Sequence, residues 1–309
     1  MVSFSSEVKN ELARVFSDSD CCRAAELAAL MRMGATLVIG GNKALGVNFS
    51  SENAAVARKA VSLIKNGFNL PTEVMVTRGR RLKKNNTYHV RVAPSATVHN
   101  LFQTLDIIRD GVFNDAPGSR TSKKACCRRA YLRGAFLGGG SVNKPAGAYH
   151  LELVTANLHF AKVLLKFMKA FKLPAGLTER KNAHIVYLKE GDAITSFLQI
   201  IGAHNALMAF ENVRIVKDMR SRVNRLVNCE TANLEKTAKA AAQQIETIKY
   251  LEQNLGLKSL SPELKEVAQA RLKNPEATLA ELSEILQGKI SKSGINHRLR
   301  KLAEIANNL

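Results

Sequence analysis

The chain has 309 residues, 46% of them apolar, enough for two or three small domains with cores of their own. Against 26 Asp and Glu it carries 46 Lys and Arg, a formal charge of +20 that attracts polyanions, so nucleic acid or an anionic membrane face is the expected partner class. Charges interrupt every apolar stretch, and the opening Met1 to Glu7 has neither the basic nor the apolar part of a signal peptide, so membrane insertion and export are not expected.

The first predicted element is an amphipathic helix from Ser6 to Phe16, with Val8, Leu12 and Phe16 at helical spacing, placed as a cap on the first of two repeats. Cys21-Cys22-Arg23 then heads a helix of about four turns that closes at Gly34 and carries small residues at Ala24, Ala28 and Ala29. A β-like run Leu45 to Phe49, a helix Ala54 to Asn66, a turn at Asn69-Leu-Pro71, a basic turn Arg78 to Lys84, a β-like run Tyr88 to Val92 and a last helix come next. The same order then returns. Cys126-Cys127-Arg128 heads a helix ending at Gly139, with small residues Ala130, Gly134 and Ala135. Tyr149 to Val154, Leu158 to Phe171, Lys172-Leu-Pro174, Arg180-Lys181 and His184 to Leu188 come after it. The chain is internally duplicated. Two αββαββα units, 21–120 and 121–220 behind an N-terminal helix in 1–20, imply an α+β pseudo-twofold domain whose halves pack through the small-residue helices. Gly138-Gly139-Gly140 ends a helix, whereas a phosphate cradle precedes one, so these glycines are assigned to close helix packing. The five cysteines are an odd count without Cys-x-x-Cys spacing and read as reduced, packed thiols. The seven histidines form no metal-type cluster, so no metal or other cofactor is expected.

Beyond Arg220 the composition changes. Ser221 to Asn233 is polar and reads as a linker entering a helix with Leu234, Ala238, Ala241, Ile245, Ile248 and Leu255 on one stripe, together 221–258. The remainder, 259–309, is all helical. Ser261 is an expected N-cap before Pro262, Asn274-Pro275 a stop, Thr278 to Glu281 a capping box, and Gly288 closes the helix that ends near Leu286. Ser291 or Ser293 caps a final helix, Ile295 to Ala306, with Ile295, Leu299, Leu302 and Ile305 apolar. Two short helices of this kind make a helix-turn-helix at about 276–309. Between Gly288 and Leu302 it has five Lys and Arg and no acid. Ser293, Asn296, His297 and Arg298, early in the second helix, are the expected base contacts, and Lys289, Ser291, Lys292, Arg300 and Lys301 the expected phosphate contacts. Arg78, Arg80, Arg81, Lys83 and Lys84, with Arg180 and Lys181, form a candidate second basic patch at two hairpin tips.

The block Leu132 to Val142 resembles the helix-ending motif of LAGLIDADG homing endonucleases, and Leu27 to Ala35 a worn copy of it. That family holds a divalent metal with an acid at the penultimate motif position. Here both positions are glycine, Gly34 and Gly139, and Arg32 and Leu137 at the other acidic position are not ligands, so the resemblance implies the fold without catalysis. Over its whole length the chain is similar to the WhiA family of bacterial sporulation and cell-division regulators. The likeness rests on the Ser3 to Ala13 opening, both Cys-Cys-Arg blocks, the run Asn224 to Thr237 with its Asn-Cys-Glu-Thr-Ala-Asn signature, and the terminal helix-turn-helix. The resemblance implies a LAGLIDADG-like domain joined by a helix to a DNA-binding domain like the last region of sigma factors. It further implies a role in transcription control, cell division and chromosome segregation, in the cytoplasm or on the nucleoid. Double-stranded DNA is then the partner, with transcription machinery or cell-division proteins as further candidates. A non-enzymatic DNA-binding regulator is the leading reading. A metal-dependent endonuclease or RNA maturase is opposed by the two glycines, and a nucleoid scaffold of weak sequence preference differs by its ratio of specific to non-specific affinity.

Overall fold

A computed structural model describes residues 3–41, 44–78, 86–109, 112–114, 117, 121 and 123–309. The chain divides into two compact units, Met1–Lys217 and Asp218–Leu309.

In the first unit the duplication is realised element for element. The first half is α2 (Asp20–Gly34), β1 (Ala35–Ile39), β2 (Leu45–Ser51), α3 (Ala54–Phe68), β3 (Glu73–Arg78), β4 (Asn86–Val92) and α4 (Ala96–Thr104), preceded by α1 (Phe4–Leu12). A small hairpin, β5 (Ile108–Arg109) and β6 (Val112–Phe113), comes after it. The second half is α5 (Ala125–Gly139), β7 (Gly140–Val142), β8 (Leu151–Thr155), α6 (Leu158–Ala170), β9 (Gly176–Arg180), β10 (Ala183–Leu188) and α7 (Gly191–Ile201). Each half has its own antiparallel four-stranded sheet, ordered β1-β2-β4-β3 and β7-β8-β10-β9. Strand alternation sends Val47, Phe49, Val90 and Val92, and in the other half Leu151, Leu153, Val186 and Leu188, into the helical layer. The repeat extends to backbone detail. Asn53 and Asn157 cap α3 and α6 through their side chains, and Asn69 and Lys172, before the two Leu-Pro turns, both adopt left-handed φ, +51° and +61°.

The halves meet along α2 and α5, and glycine is what lets them. A Cβ on Gly134 would stand 2.1 Å from the Glu26 carbonyl oxygen, and one on Gly138 2.4 Å from Met33 Cβ. Three expectations need correction here. α1 stops at Leu12; Phe16 lies beyond it, half exposed, with the Lys59 ammonium 3.8 Å from its ring centre. Nor does α1 cap the first half alone. Ser5 Oγ donates to the Val142 carbonyl of the second half at 2.7 Å, while Asn53 Nδ2 of the first half donates to Asn10 Oδ1 at 3.0 Å. The stretch Ser221–Asn233, expected as a linker, lies inside α8 (His204–Asn254). That run contains neither Gly nor Pro, and its polar side chains mark solvent exposure along a helix rather than a loop. Ser261 is the N-cap of the helix that begins at Pro262, as expected, without a side-chain bond to it.

The second unit is all helical: the later part of α8, a short 3₁₀ turn at Leu257–Ser259, α9 (Pro262–Lys273), α10 (Leu279–Ile285) and α11 (Lys292–Asn307). Ile248, Leu251, Leu264, Val267, Leu282, Ile290, Ile295, Leu299 and Leu302 form its core. No helix among the described residues is long and apolar enough to cross a membrane.

Candidate nucleic-acid interface

Local hydrogen bonds cap α10 and fix the turn that leads into α11. Thr278 and Glu281 form the expected capping box: the Thr278 N–H donates to Glu281 Oε2 at 2.7 Å, and the Glu281 N–H donates to Thr278 Oγ1 at 3.3 Å. These bonds hold the Glu281 carboxyl below the usual carboxylate range, the backbone N–H of Thr278 contributing most. After α10 the chain turns through Gln287 and Gly288, both at positive φ, and the Gly288 N–H donates back to Ser283 O at 2.8 Å. Ser283 Oγ donates to Ile290 O at 2.6 Å, fixing the residue that drops into the core. On the other side of α10, the buried Arg271 donates to the carbonyls of Asn274, Pro275 and Ala277, tying down the α9 to α10 loop. Burial lowers the pKa of its guanidinium.

Ser291 is the N-cap of α11, its Oγ accepting the Gly294 N–H at 3.2 Å, so Lys292 and Ser293 already lie in the first turn. The helix begins three residues before the expected Ile295. Ile295, Leu299 and Leu302 face the core, which turns Ser293, His297, Arg300 and Lys301 outward with Lys292, while Asn296 is half-buried at the edge of that face. Lys289 is exposed in the turn. Arg298 lies elsewhere. It is three residues from Ile295 and four from Leu302, hence beside the buried stripe, and its Nη2 donates to Glu263 Oε2 of α9 at 3.3 Å. The structure thus gathers Ser293, Asn296 and His297 with the four cations Lys289, Lys292, Arg300 and Lys301, engages the Ser291 hydroxyl in the cap, and turns Arg298 aside.

In the first unit, Arg78 is the exposed last residue of β3; Arg80, Arg81, Lys83 and Lys84 lie outside the described residues. Arg180 and Lys181 are exposed at a two-residue hairpin turn with Lys181 and Asn182 at φ +50° and +61°. At the Gly34 and Gly139 ends of the two central helices, where the homing endonucleases carry their acids, a divalent metal has no fitting site. A Cβ on Gly139 would stand 2.8 Å from the Val154 carbonyl oxygen, and one on Gly34 2.8 Å from the Phe49 ring. Leu137 is core, and Arg32 donates to the carbonyls of Asp106 and Asn114, both at 2.8 Å. Spacing along the sequence missed a different grouping. Cys21, Cys22 and Cys127 have sulfurs within 4.8 Å of one another, because the thiols come from two helices; the signal was the repeated Cys-Cys pair on two helices expected to pack together.

Comparison with known proteins accounts for nearly the whole chain. Residues 20–108 match the WhiA N-terminal LAGLIDADG-like domain, 128–220 the WhiA LAGLIDADG-like domain and 223–306 the WhiA C-terminal HTH domain. A "Probable cell division protein WhiA" from Desulforamulus reducens is 48% identical, covering 100% of this chain and 96% of the relative. One of the same description from Heliobacterium modesticaldum is 49% identical over 99% and 96%. The crystal structure of full-length DUF199/WhiA from Thermatoga maritima is similar with a TM-score of 0.61 and 28% identity, covering 100% of this chain and 99% of that one.

Proposed function

The chain belongs to the WhiA family, and from that premise we propose that it is a non-catalytic DNA-binding regulator acting in cell division, with α11 as its reading helix. The observation that carries this is the exposed cationic face of α11 on a capped, firmly turned scaffold. A helix of this width enters the major groove, where Ser293, Asn296 and His297 supply the donors and acceptors that read base edges. Lys289, Lys292, Arg300 and Lys301 then neutralise flanking phosphates and release counterions. Relatives described as cell-division proteins support the cellular role. Control of transcription, a part in chromosome segregation and residence on the nucleoid are the finer form of the same reading. Glycines packed against neighbouring atoms at 34 and 139 support the absence of strand cleavage, because no carboxylate pair stands there to concentrate positive charge on a phosphate.

The test is a genome-wide map of bound DNA followed by titration of a recovered site against random duplex. We expect a specificity ratio of about 10³ or more at physiological salt and no cleavage with magnesium or manganese. A ratio near unity would make the protein a nucleoid scaffold instead, and metal-dependent cleavage that co-purifies with the chain would make it a nuclease.

A further inference from the structure

The two central helices open with the same residues. α2 begins at Asp20 and α5 at Ala125, so Cys21 and Cys22, and Cys126 and Cys127, occupy their first turns. Close packing of the helices brings the two pairs together. The sulfurs of Cys21, Cys22 and Cys127 all lie within 4.8 Å of one another, the one such grouping of three or more His, Cys, Asp or Glu side chains among the described residues. Cys126, exposed beside Cys127, lines one cleft with Cys22 and is the remaining thiol of the two pairs. DNA binding through α11 uses none of them.

We propose that Cys21, Cys22, Cys126 and Cys127 form a thiolate site for a soft divalent cation, zinc, that staples the two halves of the first unit together.

Four sulfurs around zinc at about 2.3 Å stand about 3.8 Å apart, so the three grouped sulfurs need only a small contraction from their present spacing. Positive charge stands close by to offset that of bound thiolates. Two helix N-termini direct their positive ends at the cluster, and Arg129 and Arg133 line the same cleft of about 670 Å³ as Cys22 and Cys126. That cleft opens onto Cys22 and Cys126. On binding, four S–H bonds break, four Zn–S bonds form and four protons pass to solvent, with no change of oxidation state. Zinc suits the set because it takes four sulfurs tetrahedrally and asks for no redox partner.

The full chain, purified under reductant and stripped with a chelator, is titrated with cobalt(II) and then with zinc. We expect thiolate-to-cobalt charge transfer with a tetrahedral d–d envelope, saturating at one equivalent and bleached by zinc. Zinc should shield these four cysteines from a thiol reagent and leave Cys229, exposed on α8, reactive. Cys22→Ser and Cys127→Ser should abolish the charge-transfer band, and Cys229→Ser should keep it. If a buried variant fails to fold by circular dichroism, Cys126→Ser at the exposed position carries the test, with metal affinity weakened by about tenfold or more. A folded wild-type chain without the band, a band that survives replacement of all four residues by serine, or a disulfide between Cys21 and Cys127 in the chain isolated under reductant would overturn the proposal.

Discussion

Glu26 on α2 and Arg133 on α5 form an ion pair across the pseudo-twofold, Oε2 to Nη2 at 2.9 Å, with both side chains withdrawn from solvent. The Lys59 ammonium of α3 stands 3.2 Å from the other Glu26 oxygen and also donates to the Val15 carbonyl, while Arg133 Nη1 donates to Ile201 O at 3.3 Å. Burial depresses the lysine's pKa and Glu26 pulls it back up. A buried pair adds little over an apolar replacement, but removing one partner strands the others. Glu26→Gln should therefore cost the first unit about 3 to 5 kcal/mol, and the apolar set Glu26→Leu, Lys59→Met, Arg133→Met much less. Urea unfolding followed by tyrosine emission reads this out, since only Tyr250 among the five tyrosines lies in the second unit. A Glu26→Gln curve that overlays wild type would remove the pair as a determinant of how the halves associate.

Gly134→Ala tests the helix contact itself. Its Cβ would fall 2.1 Å from the Glu26 carbonyl oxygen, a backbone atom that moves only if α2 and α5 separate. Gly67 in α3 has nothing within 4 Å of its would-be Cβ, so Gly67→Ala should stabilise by about 0.5 to 1 kcal/mol through helix propensity alone. The two substitutions should have opposite signs in the same urea series. A neutral Gly134→Ala would mean that the glycine is not what permits the close approach.

The duplication was legible because packing imposes it. Small residues at repeated positions, Leu-Pro turns and alternating β runs each report a local constraint, and the second half obeys the constraints of the first. The helix-turn-helix was legible because capping is local: Thr278 and Glu281 sit three residues apart and bond each other. What the sequence concealed was of two kinds. Polarity at Ser221–Asn233 suggested a loop, yet α8 runs from His204 to Asn254, between Gly202 at φ +89° and Gly256 at φ +76°, and those two glycines were the readable boundaries. Long-range geometry was the other. No spacing rule sends Arg298 to Glu263 or brings Cys127 to Cys21, because both relations depend on how separate helices pack.

Alkaline unfolding should report on Tyr131. Burial pushes its hydroxyl from 10.0 up to about 12, against the opposing pull of the Arg32 guanidinium. The folded state keeps a proton that the unfolded chain begins to release at pH 10. This contribution to stability is therefore intact below pH 10 and is lost as pH rises through about 12, at a slope approaching about 1.4 kcal/mol per pH unit. Tyr131→Phe has no proton to lose. Its stability relative to wild type should be constant below pH 10 and improve above it; a difference independent of pH up to 12 would show that Tyr131 is not the titrating group.

Binding measurements should sort the residues of α11 by where the helix turns them. Asn296→Ala and His297→Ala, at the edge and on the outward face of the first turns, should each cost about 1 to 3 kcal/mol on the preferred site and little on random duplex. Arg300→Ala and Lys301→Ala, also exposed, should weaken every sequence alike and lower the salt slope by about one for each lost phosphate contact. Arg298 separates this assignment from one made on charge alone. Because it sits beside the buried stripe and pairs with Glu263 in a partly exposed setting, Arg298→Ala should lower stability by about 1 kcal/mol or less and leave the specificity ratio unchanged. A loss confined to the preferred site in Arg298→Ala would mean that the arginine leaves Glu263 to read a base. If instead all of these variants bound like wild type while neutralising Arg78, Arg180 and Lys181 abolished binding, the DNA surface would belong to the first unit.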